Sequence, residues 1–148
     1  MNVNVYDIPS MSATEKSFLI SLNVTPRLIG LYDEIRSKIL AYGKIEVWVT
    51  KNYISFKHPY GRREIKLGTL INVTFKNDSI RLDFNMRNHT PSDPKNLLKK
   101  SGLGVCNYYA IIKEGDDLSK LDYLIQQAIY CVSNVHRIVR INNKFITI

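Results

Sequence analysis

Residues 80–86, IRLDFNM, alternate between apolar and polar side chains along their whole length. In a β-strand, successive side chains point to opposite faces of the sheet, so this spacing collects the apolar side chains on one face and the polar ones on the other. An amphipathic helix would need its apolar positions three and four residues apart. The stretch therefore predicts a strand of a sheet with one apolar face and one polar face.

Shorter segments of strand-like sequence lie on both sides of this stretch. Further strands are predicted over residues 45–50, 53–57, 63–67, 70–75 and 107–113. Most of the segments between them are short and carry the Asn, Asp, Gly and Pro residues that are typical of turns. Consecutive strands joined by tight turns pair antiparallel, so we expect a mostly antiparallel sheet of about five to six strands.

Two longer segments have helical spacing instead. The first begins at Thr25, a good N-cap, and Pro26, and its apolar side chains repeat at helical intervals up to Ile39. The second follows Asp117, and its apolar side chains continue to Val132. Together with the strands, these segments predict an α+β domain in which two main helices pack on one face of the sheet.

The length of 148 residues fits a single domain. Residues 1–24 are predicted to be a leader that packs on the domain, with a short helix after the capping-box pattern at residues 12–15. Residues 25–132 form the core of the domain, in which residues 95–100 are predicted to form one or two helical turns. Residues 133–148 form a C-terminal extension for which a hairpin is expected.

The composition is that of an ordinary globular domain, with 45% hydrophobic and 23% charged residues. The first ten residues, MNVNVYDIPS, lack the basic and apolar segments of a signal peptide. No apolar run approaches the roughly 18 residues that span a bilayer. The two cysteines are too few for a disulfide framework. We therefore expect a cytoplasmic protein with reduced thiols and no membrane partner.

The net charge of +8 is concentrated in the middle of the chain. Residues 44–100 carry twelve basic and five acidic side chains, whereas residues 1–43 carry four of each and residues 101–148 carry five and four. A segment this basic favours anionic partners. A solvated face that only keeps the protein soluble is the alternative.

Several segments, in order along residues 28–132, resemble a family of small domains of unknown function. The segments are residues 31–35 (LYDEI), 49–57 (VTKNYISFK), 80–85 (IRLDFN), 93–97 (DPKNL) and 117–130 (DLSKLDYLIQQAIY). This family is labelled "predicted transport protein" and occurs alone or fused behind restriction-endonuclease-like domains. The resemblance implies an accessory role beside a nuclease.

One loop departs from the family pattern. Relatives have a G-H-W-G-x-G-D loop before their last strand, whereas residues 101–107 here are SGLGVCN. The histidine, tryptophan and aspartate are absent, so any chemistry of that loop is not expected in this chain. The transport label has no support from the sequence, because no segment is suited to crossing a membrane.

No catalytic or metal site is predicted. Cys106 has no spacing that brings it to a histidine, and a cysteine at the start of a strand is typical of a small buried side chain. Neither cysteine belongs to a zinc-binding pattern. Gly102 and Gly104 lack the remaining residues of a phosphate-binding loop. An enzyme is therefore the less favoured interpretation, and no cofactor is expected.

The polar face of the sheet gives a more specific hypothesis. If the polar sides of the strands coincide, Trp48 and Tyr53 lie among the cations Lys57, Arg81 and Arg87. Aromatic rings can stack on bases while neighbouring cations hold phosphates. An ordinary aromatic pair with charged neighbours is the alternative.

Two functional hypotheses follow. The first is a non-catalytic accessory domain that binds DNA or RNA through this basic region, in a restriction or phage-defence setting. The second is a protein–protein interaction or self-association module without nucleic-acid binding, with Trp48 and the C-terminal extension as the contact. An enzyme acting on a small anionic substrate ranks third, because no catalytic set is evident.

Overall fold

The helices and strands of the structure follow one another along the chain largely in the order that the sequence patterns predict. The computed structural model describes residues 4–58, 68–102, 104–133, 138–141 and 144–147. After a 3-10 turn at Val5–Asp7, its elements are α1 (Ala13–Ser21), α2 (Pro26–Leu40), β1 (Glu46–Val49), β2 (Ile54–Lys57), β3 (Thr69–Phe75), β4 (Ser79–Phe84), β5 (Lys99–Lys100), β6 (Tyr108–Lys113), α3 (Ser119–Ser133), β7 (Ile138–Ile141) and β8 (Lys144–Thr147).

Strands β1 to β6 form one antiparallel sheet in the order β1-β2-β3-β4-β6-β5, and β7 pairs antiparallel with β8. The predicted α+β fold with a mostly antiparallel sheet is confirmed. The strand predicted over residues 63–67 and the tip of the C-terminal hairpin lie outside the described residues. Among the described residues, no helix has the length and apolar character needed to cross a membrane.

The register of the sheet assigns every side chain to one of two faces. Val73 on β3 lies opposite Ile54 on β2 and Leu82 on β4, and Leu82 lies opposite Ala110 on β6. These four side chains are buried and belong to the core. Directly opposed residues share a face, so they mark the apolar face, and the alternate positions form the polar face.

The three helices cover the apolar face. Phe75 of β3 contacts the ring of Tyr32 in α2 at a centroid distance of 5.2 Å and the ring of Phe18 in α1 at 6.4 Å. Ile125 of α3 is completely buried in the same core. The two predicted main helices therefore pack as expected, and α1 adds a third helix to this layer.

A buried ion pair joins α1 to α2. The Arg36 guanidinium donates to the Glu15 carboxylate from Nε at 2.8 Å and from Nη2 at 3.2 Å. It also donates to Ser10, from Nη1 to Oγ at 2.9 Å and from Nη2 to the backbone carbonyl at 3.0 Å. The Tyr32 hydroxyl donates to the same carboxylate, and burial together with Glu15 raises the pKa of Tyr32 well above its ordinary value. Two buried charges thus neutralise each other, and each nitrogen of the guanidinium has at least one hydrogen-bond acceptor.

The predicted capping box at residues 12–15 forms only in part. Ser12 caps α1, since its Oγ accepts from the Glu15 backbone N–H at 3.1 Å. The Glu15 side chain instead binds Arg36, which a local pattern does not reveal because the partner is 21 residues away.

The helical turns predicted over residues 95–100 are not formed. The Asp93 carboxylate accepts from the backbone N–H groups of Leu97 at 3.0 Å and Leu98 at 2.7 Å, and Asn96 has a φ of 54°. A left-handed residue stops a helix from extending, and the aspartate satisfies the freed amides. The chain leaves this turn extended as β5, which pairs with β6.

An amide clamp holds the proline-containing loop before β5 against α3. The Gln127 side chain donates from Nε2 to the Ser92 carbonyl and accepts at Oε1 from the Ser92 N–H, both at 2.8 Å. Gln127 is almost completely buried. One side chain therefore satisfies both backbone polar groups of a loop residue.

Replacing Ile125 with Asp should unfold the domain or nearly so, because it introduces an unpaired charge into the centre of the core. We expect a loss of roughly 4–5 kcal/mol in the free energy of unfolding. Urea denaturation followed by circular dichroism measures the loss. Gln126→Asp, at an exposed neighbouring position, is the control. A stable Ile125→Asp protein would contradict the packing of α3 described above.

Replacing Glu15 with Ala should cost about 3–5 kcal/mol, since it leaves the Arg36 charge buried without its carboxylate. Glu34→Ala removes an exposed carboxylate from α2 and should cost less than about 0.5 kcal/mol. The same denaturation experiment measures both. Equal effects of the two changes would show that the Glu15 ion pair contributes little to the stability of the helical layer.

Candidate binding site on the polar face of the sheet

Five strands place one side chain each in a single row across the polar face. In order across β1, β2, β3, β4 and β6, the row consists of Trp48, Ser55, Asn72, Asp83 and Tyr109. Neighbouring strands are about 4.8 Å apart, so the two aromatic residues at its ends are separated by about 19 Å. The row therefore has a polar centre between two aromatic ends.

Trp48 is the exposed aromatic end of this row. It lies on the edge strand β1 and keeps 41% of its surface accessible. Its indole Nε1 donates to Glu46 Oε2 at 2.8 Å, and this hydrogen bond orients the ring. The Lys57 ammonium lies 5.7 Å from the ring centroid. A cation at this distance is attracted to the ring and helps to orient it.

Lys57 is buried although it carries a charge. Its Nζ donates to Thr69 Oγ1 at 2.7 Å, and only 9% of the residue is exposed. Burial lowers the pKa of Lys57 from its ordinary value, because the charged form loses its hydration. The alternation along β2 predicted that Lys57 lies on the polar face. It did not predict that Lys57 is buried, because burial depends on which other residues cover that face.

Arg81 and Tyr109 form the other end. The Arg81 guanidinium donates from Nε and Nη2 to the Asp83 carboxylate at 3.0–3.2 Å and lies over the Tyr109 ring, 3.9 Å from its centroid. The Arg81 side chain retains 28% exposure. The positive charge is therefore balanced by Asp83, while the stacked guanidinium still presents a planar surface.

Arg87 leaves this group, and Tyr53 makes no hydrogen bond or ring contact with Trp48, Lys57 or Arg81. Arg87 follows β4 with a φ of 50°, which turns the chain away from the strand. Burial lowers the pKa of its guanidinium, and the nearby Cys131 thiol belongs to α3, on the other side of the sheet. Tyr53 lies half-buried in the turn before β2, where its carbonyl accepts from Thr50. Of the five predicted residues, the polar face gathers Trp48, Lys57 and Arg81.

Cys106 lies near the centre of the polar face as a neutral thiol. Burial, and secondarily the Asp83 carboxylate, raise its pKa to about 12, although a hydrogen bond from the Asn72 backbone and the Lys57 charge act in the opposite direction. A thiol with this pKa is not ionised at neutral pH, so it is a poor nucleophile. Within the described residues, no cluster of three or more His, Cys, Asp and Glu side chains is arranged to hold a metal ion.

Sequence reasoning missed two members of the row: Asn72 and Tyr109. Tyr109 could have been found, because Tyr109, Ile111 and Lys113 alternate with the apolar-face residues of the predicted strand over 107–113. Asn72 could also have been found, because it interrupts an apolar segment of β3. A lone polar residue within a buried strand needs a polar partner, which marks it as a candidate site residue.

In comparisons with known proteins, no family model, no curated protein and no solved structure matches this chain.

Cys106 should resist alkylation in the folded protein. In a Cys131→Ser variant, iodoacetamide at about pH 8 should leave Cys106 unmodified, because both its burial and its raised pKa suppress the thiolate. Mass spectrometry of the intact protein measures the modification, and the same sample in denaturant, where Cys106 is exposed, should react completely. Rapid modification of the native protein would show a reactive thiol and would favour an enzyme.

Proposed function

We propose that the polar face of the sheet binds single-stranded nucleic acid without sequence preference. The observation that carries this proposal is the exposed Trp48 ring, held by Glu46 at the end of a row that terminates in the Arg81–Tyr109 stack. Unpaired bases stack on such surfaces regardless of their identity, because every base has an aromatic face.

The two ends of the row would contact different parts of a strand. Trp48 offers an aromatic ring, and Arg81 offers a guanidinium plane backed by Tyr109. Arginine planes stack on bases much as aromatic rings do. Since the two platforms are about 19 Å apart, a bound strand crosses the β-strands and reaches both ends. The centre of the row is buried, so bases stack at its flanks.

Exposed lysines supply the phosphate contacts in this proposal. Lys99 lies opposite Tyr109, and Lys113 lies opposite Ser79, which places both on the polar face. Both are exposed. Arg81 is already paired with Asp83, so its charge contributes less to the attraction of an anionic chain. The proposed surface therefore combines stacking with a modest excess of positive charge.

A restriction or phage-defence setting remains part of the proposal and rests on the family resemblance alone. In such a setting, an accessory domain would keep a partner nuclease on its substrate. The neutral Cys106 thiol agrees with a binding role, since it is not a ready nucleophile.

Self-association is a second candidate, favoured by the position of β1. This strand forms one edge of the six-stranded sheet, and it pairs with β2 on one side. An edge strand can pair with a strand of another chain, and the exposed Trp48 would then lie beside the new contact. Light scattering distinguishes a dimer of this kind from a monomer.

Fluorescence anisotropy with labelled single-stranded and duplex oligonucleotides tests the proposal. We expect the protein to prefer single strands and its affinity to fall steeply between about 50 and 200 mM salt, because bound phosphates release counterions. Trp48→Ala should weaken binding by roughly 1–3 kcal/mol, the usual loss for one stacked base.

Two controls separate local contacts from general effects. Tyr123→Ala removes an exposed aromatic ring from α3, in the layer that covers the apolar face, and should leave the affinity unchanged. Lys99→Ala with Lys113→Ala should reduce the salt dependence, whereas Lys120→Ala on α3 should not. Undetectable binding at about 50 mM salt, where electrostatic attraction is strongest, would reject nucleic acid and favour self-association.

A further inference from the structure

Two tyrosines of α3 are exposed on the side of the helix that faces solvent. Tyr123 retains 51% of its surface and Tyr130 retains 66%. They are separated by about two helical turns, so their side chains share one face of α3 and lie about 10.5 Å apart along its axis. Tyrosine is enriched in contact surfaces, because it combines a large apolar ring with a hydroxyl that forms hydrogen bonds.

A groove runs along this side of α3, bounded by the loop before β5. One cavity of about 380 Å³ is lined by both tyrosines together with His89 and Thr90. A second cavity of the same volume lies toward the beginning of α3, where Pro94 and Tyr123 line it. Because Tyr123 lines both cavities, they adjoin and form one continuous groove between α3 and residues 89–95, called the Tyr123 groove below.

Hydrogen bonds hold the two sides of the Tyr123 groove in place. Gln127 of α3 lines the first cavity, and its side chain binds both backbone polar groups of Ser92. Asp93 lines the second cavity, and its carboxylate accepts from the backbone N–H groups of Leu97 and Leu98. The groove is therefore formed before a partner arrives, which lowers the entropic cost of binding.

The dimensions of the Tyr123 groove match a polyproline II helix. Such a helix repeats every three residues, or about 9.3 Å, which is close to the spacing of Tyr123 and Tyr130. The groove is about 15 Å long from Lys120 to Tyr130, which accommodates about five residues of this helix. Proline-rich segments dock in aromatic-lined grooves, and their carbonyl groups can accept from the tyrosine hydroxyls and from the exposed Gln126 amide.

The charges of the Tyr123 groove suit a peptide with an acidic end. Among the described residues, no Asp, Glu, Lys or Arg lines the cavity that both tyrosines share. In the other cavity, Lys95 and Lys120 balance Asp93 and Asp117. Both carboxylates accept from backbone N–H groups, whereas neither lysine forms an ion pair within the described part of the chain. A carboxylate of a peptide can therefore pair with these lysines, while a polyanion encounters no net positive charge.

We propose that the Tyr123 groove binds a proline-rich segment of a partner protein in the polyproline II conformation. An acidic residue of that segment lies beside Lys95 and Lys120. The inference is independent of the proposed function, because α3 covers the apolar face of the sheet and nucleic acid is proposed to bind the polar face. A partner in this groove leaves Trp48 accessible.

Titration of the full chain with synthetic peptides, followed by NMR of the backbone amides, tests the inference. Two peptides carry six prolines with two aspartates before or after them, a third carries six glycines with two aspartates, and a fourth carries six prolines alone. We expect one of the two proline–aspartate peptides to bind about tenfold more tightly than the glycine peptide, because proline holds the chain extended before it binds. The chemical shift changes should be confined to residues 89–95 and 119–130.

Substitutions at exposed positions identify the contacts. Tyr123→Ala and Tyr130→Ala should each weaken binding of the proline–aspartate peptide about fivefold, since each removes one ring from the groove. Tyr42→Ala is the matched control, because Tyr42 is an exposed tyrosine beside α3 that lines a different cavity. Lys95→Ala with Lys120→Ala should abolish the preference for the proline–aspartate peptide over the peptide of six prolines. Thermal unfolding confirms that each variant is folded.

The remaining outcomes separate this inference from the proposed function. Equal affinities for the proline and glycine peptides, or shift changes centred on Trp48, would overturn it. Association of the protein with itself that Tyr123→Ala abolishes, without peptide binding, would also overturn it and would assign the groove to a second copy of the chain. Binding of an oligothymidine with no response to any peptide would reject the peptide groove and leave the proposed function intact.

Discussion

The register between β3 and β4 determines what both faces of this protein can do. It sets Val73 against Leu82 in the core and Asn72 against Asp83 on the opposite face. Side chains alternate with a period of two, so a slip of one residue would bring the polar residues into the helical layer and expose the apolar ones. The free energy of burying the apolar face therefore also fixes the row that runs from Trp48 to Tyr109.

Two buried cations illustrate different ways of placing a charge inside a protein. Arg36 makes four hydrogen bonds, two to Glu15 and two to Ser10. Lys57 has a hydroxyl and a ring for neighbours, and burial lowers its pKa. The first arrangement joins α1 to α2 in the helical layer. The second arrangement, on the polar face, leaves Lys57 without a carboxylate partner among the described residues.

Periodicity predicted the parts of this structure that depend on local geometry. The alternation of residues 80–86 predicted the sheet, and the N-cap at Thr25 predicted the start of α2. Alternation also assigned Trp48, Lys57 and Arg81 to the polar sides of their strands. The departures have physical causes outside the pattern. Arg87 has a positive φ that ends the alternation after β4, and the turn at Asn96 is held by an aspartate several residues earlier.

The candidate site was less predictable than the fold, because its properties arise between strands. Nothing local shows that Lys57 is buried or that Arg81 lies over Tyr109. Both facts depend on which residues are opposite each other across the sheet and on what covers the face. Alternation within a strand assigns a side, but a charge on that side can be exposed, paired or buried.

The amide clamp between α3 and the loop before β5 limits which residues evolution can use at position 127. The Ser92 backbone needs an acceptor and a donor at once, on a side chain long enough to reach it from the helix. Glutamate lacks the donor, lysine and arginine lack the acceptor, and asparagine is one methylene shorter. Among these five side chains, glutamine alone meets all three requirements. Its retention in divergent homologues would therefore mark the same loop conformation even where the rest of the sequence had changed.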